Sequence, residues 1–291
     1  MRILIMSIAL AFATIQPASA AVYQQGVVYV IYENNDIKNK ADINSNGVPD
    51  IVEDIATQIN AAREIFATFN FPDPLKSERY PNVTSIEVDM EAAEKGGTSF
   101  SGMRKNSKHN PNERALHISI GSIVDPHKGE TPAHEYFHLI QYGATYFRNG
   151  WFLEGMARWS QDSVAATKYP NSKNVSATLK SKSEQEKIFK IKYNAAEKLW
   201  YPLALSMNDK ATIPDKIISK YKYVDGSPVF KDNIFYGANV MRKVILTMKS
   251  KEGIAAEQFG GMRQWRKDGQ RDEKNNPFIM ESVREVYNSG K

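Results

Sequence analysis

The spacing of apolar residues divides the chain into two differently built parts. In "IVEDIATQINAAREIFATF" they fall at positions 52, 55, 59, 62, 66 and 69, the three-and-four step that lines one face of an α-helix. "GVVYVIYE", residues 26–33, is a compact apolar run and predicts a first strand. "VTSIEVDM", "GTSFSGM" and "ALHISIGS" predict further short strands, separated by polar stretches rich in Gly, Asn and Pro. A second helix is predicted over residues 131–145, with Thr131 as its cap and Pro132 in its first turn. Asn149 and Gly150 then break the chain, and "WFLEGMARWSQDSVAA" predicts a third helix. Beyond residue 166 the pattern is helical with loops. The expected fold class is α+β, with a mixed sheet and helices over residues 21–165 and a mainly α-helical part over 166–291.

The first twenty residues stand outside this pattern. Arg2, an apolar core over residues 3–15 and Ala18-Ser19-Ala20 form the three parts of a cleavable secretory signal. The apolar run is too short for a finished membrane anchor, so a secreted or periplasmic protein with no stable membrane anchor is expected. Cysteine is absent, which removes disulfides, thiolate metal ligands and thiol nucleophiles together. The net charge is +5, and much of the lysine excess sits in "KYPNSKNVSATLKSKSEQEKIFKIK", interleaved with Ser, Asn and Glu. That stretch reads as a solvated surface, and no nucleic-acid-binding motif accompanies it.

The candidate chemistry lies in the second predicted helix, "TPAHEYFHLIQYG". Residues four apart share a helix face, so the imidazoles of His134 and His138 can converge on one point. Zinc accepts imidazole nitrogen at about 2.0–2.1 Å and keeps one of four positions for water in a catalytic site. Glu135 follows directly and can serve as a base without ligating the metal. Histidine occurs only at 109, 117, 127, 134 and 138, so no histidine downstream of this motif can complete the site. The expected third zinc ligand is therefore a downstream carboxylate. Glu154 is the first candidate, beside Gly155, which would let the two helices pack closely, and Asp162 is the reserve.

H-E-x-x-H followed by W-x-x-E-G-x-A-x-W resembles the gluzincin zinc metallopeptidases, whose third ligand is a glutamate on a second helix. It is also similar to a group of secreted bacterial metallopeptidase-like proteins that pair such a helix with an upstream D-x-N-x-N-G-x-P-D loop. The resemblance spans residues 42–165. It implies a zincin-like fold and endopeptidase activity on a protein or peptide substrate. In that mechanism Glu135 takes a proton from a zinc-bound water, which attacks the peptide carbonyl. Two features depart from the family. No downstream histidine is present to stabilise the tetrahedral intermediate, and Tyr236 is the expected substitute, with Tyr201 and Tyr193 as rivals. The amino-terminus-binding motif of the aminopeptidases is missing as well, since "SGMRKN" has Arg where the acid belongs. An aminopeptidase, or a silent binding protein on the same fold, are the alternatives.

The upstream loop, "DINSNGVPDIVE", has the spacing of a twelve-residue calcium loop. Asp42, Asn44 and Asn46 would offer side-chain oxygens, Val48 a carbonyl, Asp50 a direct or water-mediated contact and Glu53 a bidentate carboxylate. Pro49 lacks the N–H that pairs one such loop with another, so a solitary, structural calcium site is expected. The plainer reading of the same residues is an Asx-rich turn leading into the helix.

Overall fold

The computed structural model describes residues 20–91, 96–165 and 175–290. The signal segment, apart from Ala20, and the expected boundary at 166 lie outside them. The predicted first strand proves to be the second arm of a hairpin. Strand β1 (Ala21–Gln25) pairs antiparallel with β2 (Val28–Tyr32), and Gly26, at φ +62°, makes the turn. A left-handed residue is cheap only as glycine, so the chain reverses there instead of continuing.

The chain then crosses through helix α1 (Asp50–Thr68) to β3 (Val83–Glu91), β4 (Gly97–Ser99) and β5 (Arg114–Gly121). The five strands lie in the order β1-β2-β3-β5-β4. Strands β2, β3 and β5 are mutually parallel, whereas β4 runs antiparallel to β5 and forms one edge. This is an α+β arrangement around a mixed sheet. Alternation decides which side chains meet the helices: Ile86, Val88 and Met90 of β3 and Leu116, Ile118 and Ile120 of β5 are buried in the core. The residues between them, Glu87, Asp89 and His117, face the other side, where Arg104 pairs with both carboxylates. His109 joins this group through Glu87 Oε1 at 2.8 Å and stacks on Tyr29.

Helix α2 (Thr131–Ala144) packs on α1, β4 and β5, and α3 (Gly150–Ser160) packs on α2. The expected Thr131 cap is not formed. Glu130 holds the cap position without a side-chain bond, and Thr131 is the first helical residue. Phe66, Phe71, Phe137, Trp159 and Phe235 fill the space behind α2 and α3, with Trp159 and Phe235 stacked at 4.8 Å.

The C-terminal part is mainly helical, as its pattern predicts. It contains α4 (Ser176–Lys180), α5 (Lys182–Phe189), a π-helical turn (Ala196–Trp200), α6 (Tyr201–Ser206), α7 (Asp215–Lys220), α8 (Ala238–Glu257), α9 (Lys267–Arg271) and α10 (Asn276–Ser289). A small ladder of β6 (Lys210–Thr212) and β7 (Ile234–Tyr236) interrupts it. Asn276 fixes α10 to the start of α3, since its Oδ1 accepts from Trp151 Nε1 and Asn149 Nδ2. Among the described residues, no helix is long and apolar enough to cross a membrane.

Candidate metal centre

The helical spacing brings His134 and His138 onto one face of α2, and the turn at 145–149 returns α3 so that Glu154 meets them. Glu154 Oε2 lies 3.5 Å from Nε2 of each histidine. Among the described residues, these three form the group whose donor atoms gather within 4.8 Å. Two ligands held at about 2.05 Å from a tetrahedral centre stand about 3.3 Å apart, so the histidine–glutamate separations suit one small cation.

Gln141, missed in the sequence, decides how His138 is used. Its Nε2 donates to the Phe152 and Leu153 carbonyls, which turns its Oε1 toward His138 Nδ1 at 2.8 Å. An amide oxygen only accepts, so Nδ1 carries the proton and Nε2 presents a lone pair. That lone pair faces a carboxylate oxygen, and two acceptors at this distance need a proton or a metal cation between them. The same Gln141 locks the start of α3 to α2 and so sets where Glu154 arrives. His134 Nδ1 is buried without a hydrogen-bond partner.

Charge adds to the geometry. Burial alone would raise the Glu154 carboxyl, but bonds and charge from His134 and His138 outweigh it and hold it well below the usual carboxylate range. Burial would lower His138, yet Glu154, with Glu135 adding, raises it. Glu154 and the two imidazoles thus form one strongly coupled acid–base group.

Glu135 is buried and meets the edge strand. Ser99 Oγ is 2.9 Å from Glu135 Oε2 and donates there or to the Glu135 carbonyl at 2.6 Å. Gly97 is required by this approach, since a Cβ there would lie 2.6 Å from Glu135 Cγ. Ser99 and Gly97 escaped the sequence reading because edge-strand contacts carry no local signature.

No family model, curated protein or solved structure matches the chain.

The remaining predicted residues fall into place differently. Asp162 sits in a 3₁₀ turn (Gln161–Ser163) with its Oδ1 toward the Tyr201 hydroxyl at 3.4 Å, and it does not belong to the cluster of His134, His138 and Glu154. Tyr236 ends β7 opposite Lys210, and its carbonyl accepts from Trp159 Nε1 near the end of α3. Tyr193, named as its rival, stands at the cluster. Its ring lies 6.0 Å from that of His134, and burial followed by the Glu154 carboxylate raises its pKa. Gly155 serves a different contact from the one expected. A Cβ there would lie 2.7 Å from Ala195 Cβ and 2.8 Å from Trp200 Nε1, so it admits the π-helical turn and not α2.

In the upstream loop the polar atoms are bonded to one another. Asp42 accepts from the Asn46 and Gly47 amides, and Asn44 and Asn46 donate to the two oxygens of Glu53 at 3.0 Å. Val48 N–H donates to Asn46 Oδ1, and Asp50 Oδ1 accepts from Ile43 N–H. Asp50 Oδ2 is buried without a partner. This is an Asx-rich turn, and Asn44 and Asn46 would have to turn their amides over to present the expected oxygens to a cation.

Proposed function

We propose that the protein is an exported zinc-dependent endopeptidase of gluzincin type. The observation that carries this reading is the convergence of His134 Nε2 and His138 Nε2 on Glu154 Oε2, with Gln141 holding His138 in the ligating tautomer. His134, His138 and Glu154 would hold zinc through two nitrogens and one oxygen, a donor set suited to it. Zinc in that place supplies a Lewis acid and lowers the pKa of a coordinated water. Glu135 is the base in this scheme. Ser99 reaches its Oε2, and glycine at position 97 keeps room beside Oε1. The proton that Glu135 removes from water passes to the amine as the peptide C–N bond breaks and a C–O bond replaces it. The Tyr193 hydroxyl is the group proposed to donate to the developing oxyanion.

Strand β4 supports an extended substrate. It is an edge strand whose Gly97 and Thr98 are exposed and whose Ser99 touches the base, so a peptide added along it would pass the cluster. A chain laid along an edge has no need of a bound amino terminus, which favours internal cleavage. The mature protein should hydrolyse unfolded casein, lose that activity to a chelator and regain it with zinc. Casein hydrolysis untouched by the chelator, or none with zinc present, would remove this reading.

We also propose calcium for the upstream loop, on the partnerless oxygen of Asp50 and the burial of Glu53 beside it. Extracellular calcium sites bind at about 10⁻⁴–10⁻³ M, so millimolar calcium should raise the melting temperature. Asp42→Ala with Glu53→Ala should erase that rise. An equal rise in the double variant would leave the loop as a helix entry only.

A further inference from the structure

A cavity of about 720 Å³ opens beside the turn that joins α2 to α3. Arg79, Arg148, Arg263, Arg266 and Lys267 line it, and no carboxylate does. Arg148 is the anchor. It is 5 % exposed, its Nε donates to Gln270 Oε1 at 2.6 Å, and its backbone N–H donates to the Gln270 carbonyl. Among the described residues, no acid forms an ion pair with Arg79, Arg148, Arg263 or Arg266. The carboxylate behind the cavity wall, Glu252, is turned to the Tyr146 backbone N–H at 2.6 Å. A buried arginine held by its Nε, beside four further cations, is a fork prepared for an anion.

A chain of ring contacts and a short step of sequence connect this cavity to the candidate metal centre. The Arg148 guanidinium lies 4.8 Å from the ring centre of Tyr142, and that ring stacks on the His138 imidazole. Ser101, which lines the cavity, follows Ser99 of the edge strand by two residues. A peptide laid along β4 past Glu135 and continued beyond Ser99 would therefore run toward the cations.

We propose that this basic cavity is a specificity subsite that takes a carboxylate of the peptide, a few residues from the scissile bond. The inference rests on the endopeptidase reading. The carboxylate has two possible sources, an Asp or Glu side chain and the peptide's own C-terminus.

The test uses the zinc-loaded Glu135→Gln protein, which keeps peptides intact, and fluorescein-labelled alanine octapeptides in amidated form. One Glu, or one Gln as its control, is scanned through the positions, and a further set lacks Glu but ends in a free carboxylate. Fluorescence anisotropy should show one Glu position binding about tenfold tighter than its Gln control. The exposed pair Arg263→Gln and Arg266→Gln, checked by its melting curve, should largely remove that gain. A gain confined to the free-carboxylate set would assign the subsite to the C-terminus. Glu and Gln peptides that bind alike everywhere, with no gain from a free terminus, would overturn the proposal, as would a gain unchanged in the double variant. Binding is read apart from turnover. If the protein with Glu135 intact cleaves neither casein nor these peptides while the Glu preference persists, the endopeptidase reading fails and the anion subsite stands.

Discussion

Glu135→Gln is expected to lower casein hydrolysis by about 10²–10⁴-fold while zinc content is unchanged, because a general base contributes on that scale. The substitution keeps the size of the side chain and an oxygen for the Ser99 hydroxyl, so the contact to β4 survives. The candidate ligands His134, His138 and Glu154 are not altered. Parallel measurement of turnover and zinc per chain separates the two effects. A variant that stays active would show that Glu135 is not the base, and one that loses zinc would show that it holds the site together.

Gly155→Val should destabilise the protein by about 1–3 kcal/mol, the usual cost of forcing atoms into a filled interior. The first added carbon already lies 2.7 Å from Ala195 Cβ and 2.8 Å from Trp200 Nε1. Neither neighbour can step aside cheaply: Ala195 has no flexible side chain, and Trp200 Nε1 donates to the Trp151 carbonyl. Thermal unfolding should show a melting temperature lower by several degrees. Tyr193 lies two residues before Ala195, so the same change should lower turnover of whatever folded protein remains. A variant as stable as its parent would mean that the π-helical turn does not approach α3 as described.

These two sites show where sequence is informative and where it is not. His134 and His138 are local: helical periodicity alone puts them on one face, and the count of histidines points to a carboxylate as the third member. Glu154 could be chosen over Asp162 from its apolar surroundings, Trp151, Phe152, Leu153 and Trp159, and the fold brings Glu154 to the pair. Helix α1, strands β3 to β5 and the two site helices also follow from period and punctuation.

What was not legible depends on contacts between segments distant in the chain. Gln141 looks like an ordinary helix residue until α3 folds back and offers it the Phe152 and Leu153 carbonyls. Ser99 and Gly97 become meaningful only when β4 takes the sheet edge over Glu135. Tyr193 reaches the cluster because Gly155 lets its segment approach α3, a contact between distant segments that no local pattern announces. Strand β1 is hard to read from sequence, because its alternating, half-exposed residues are a weaker signal than the apolar run of β2.

The central claim is that three side chains hold one zinc, and elemental analysis of the purified mature protein tests it most directly. The parent should carry about one zinc per chain. Glu154→Ala should lose most of it in a buffer that sets free zinc near the parent's dissociation constant, while Asp162→Ala should keep it, because Asp162 faces Tyr201. A parent without zinc, or zinc that persists when His134 and His138 are both changed to Ala, would contradict the account.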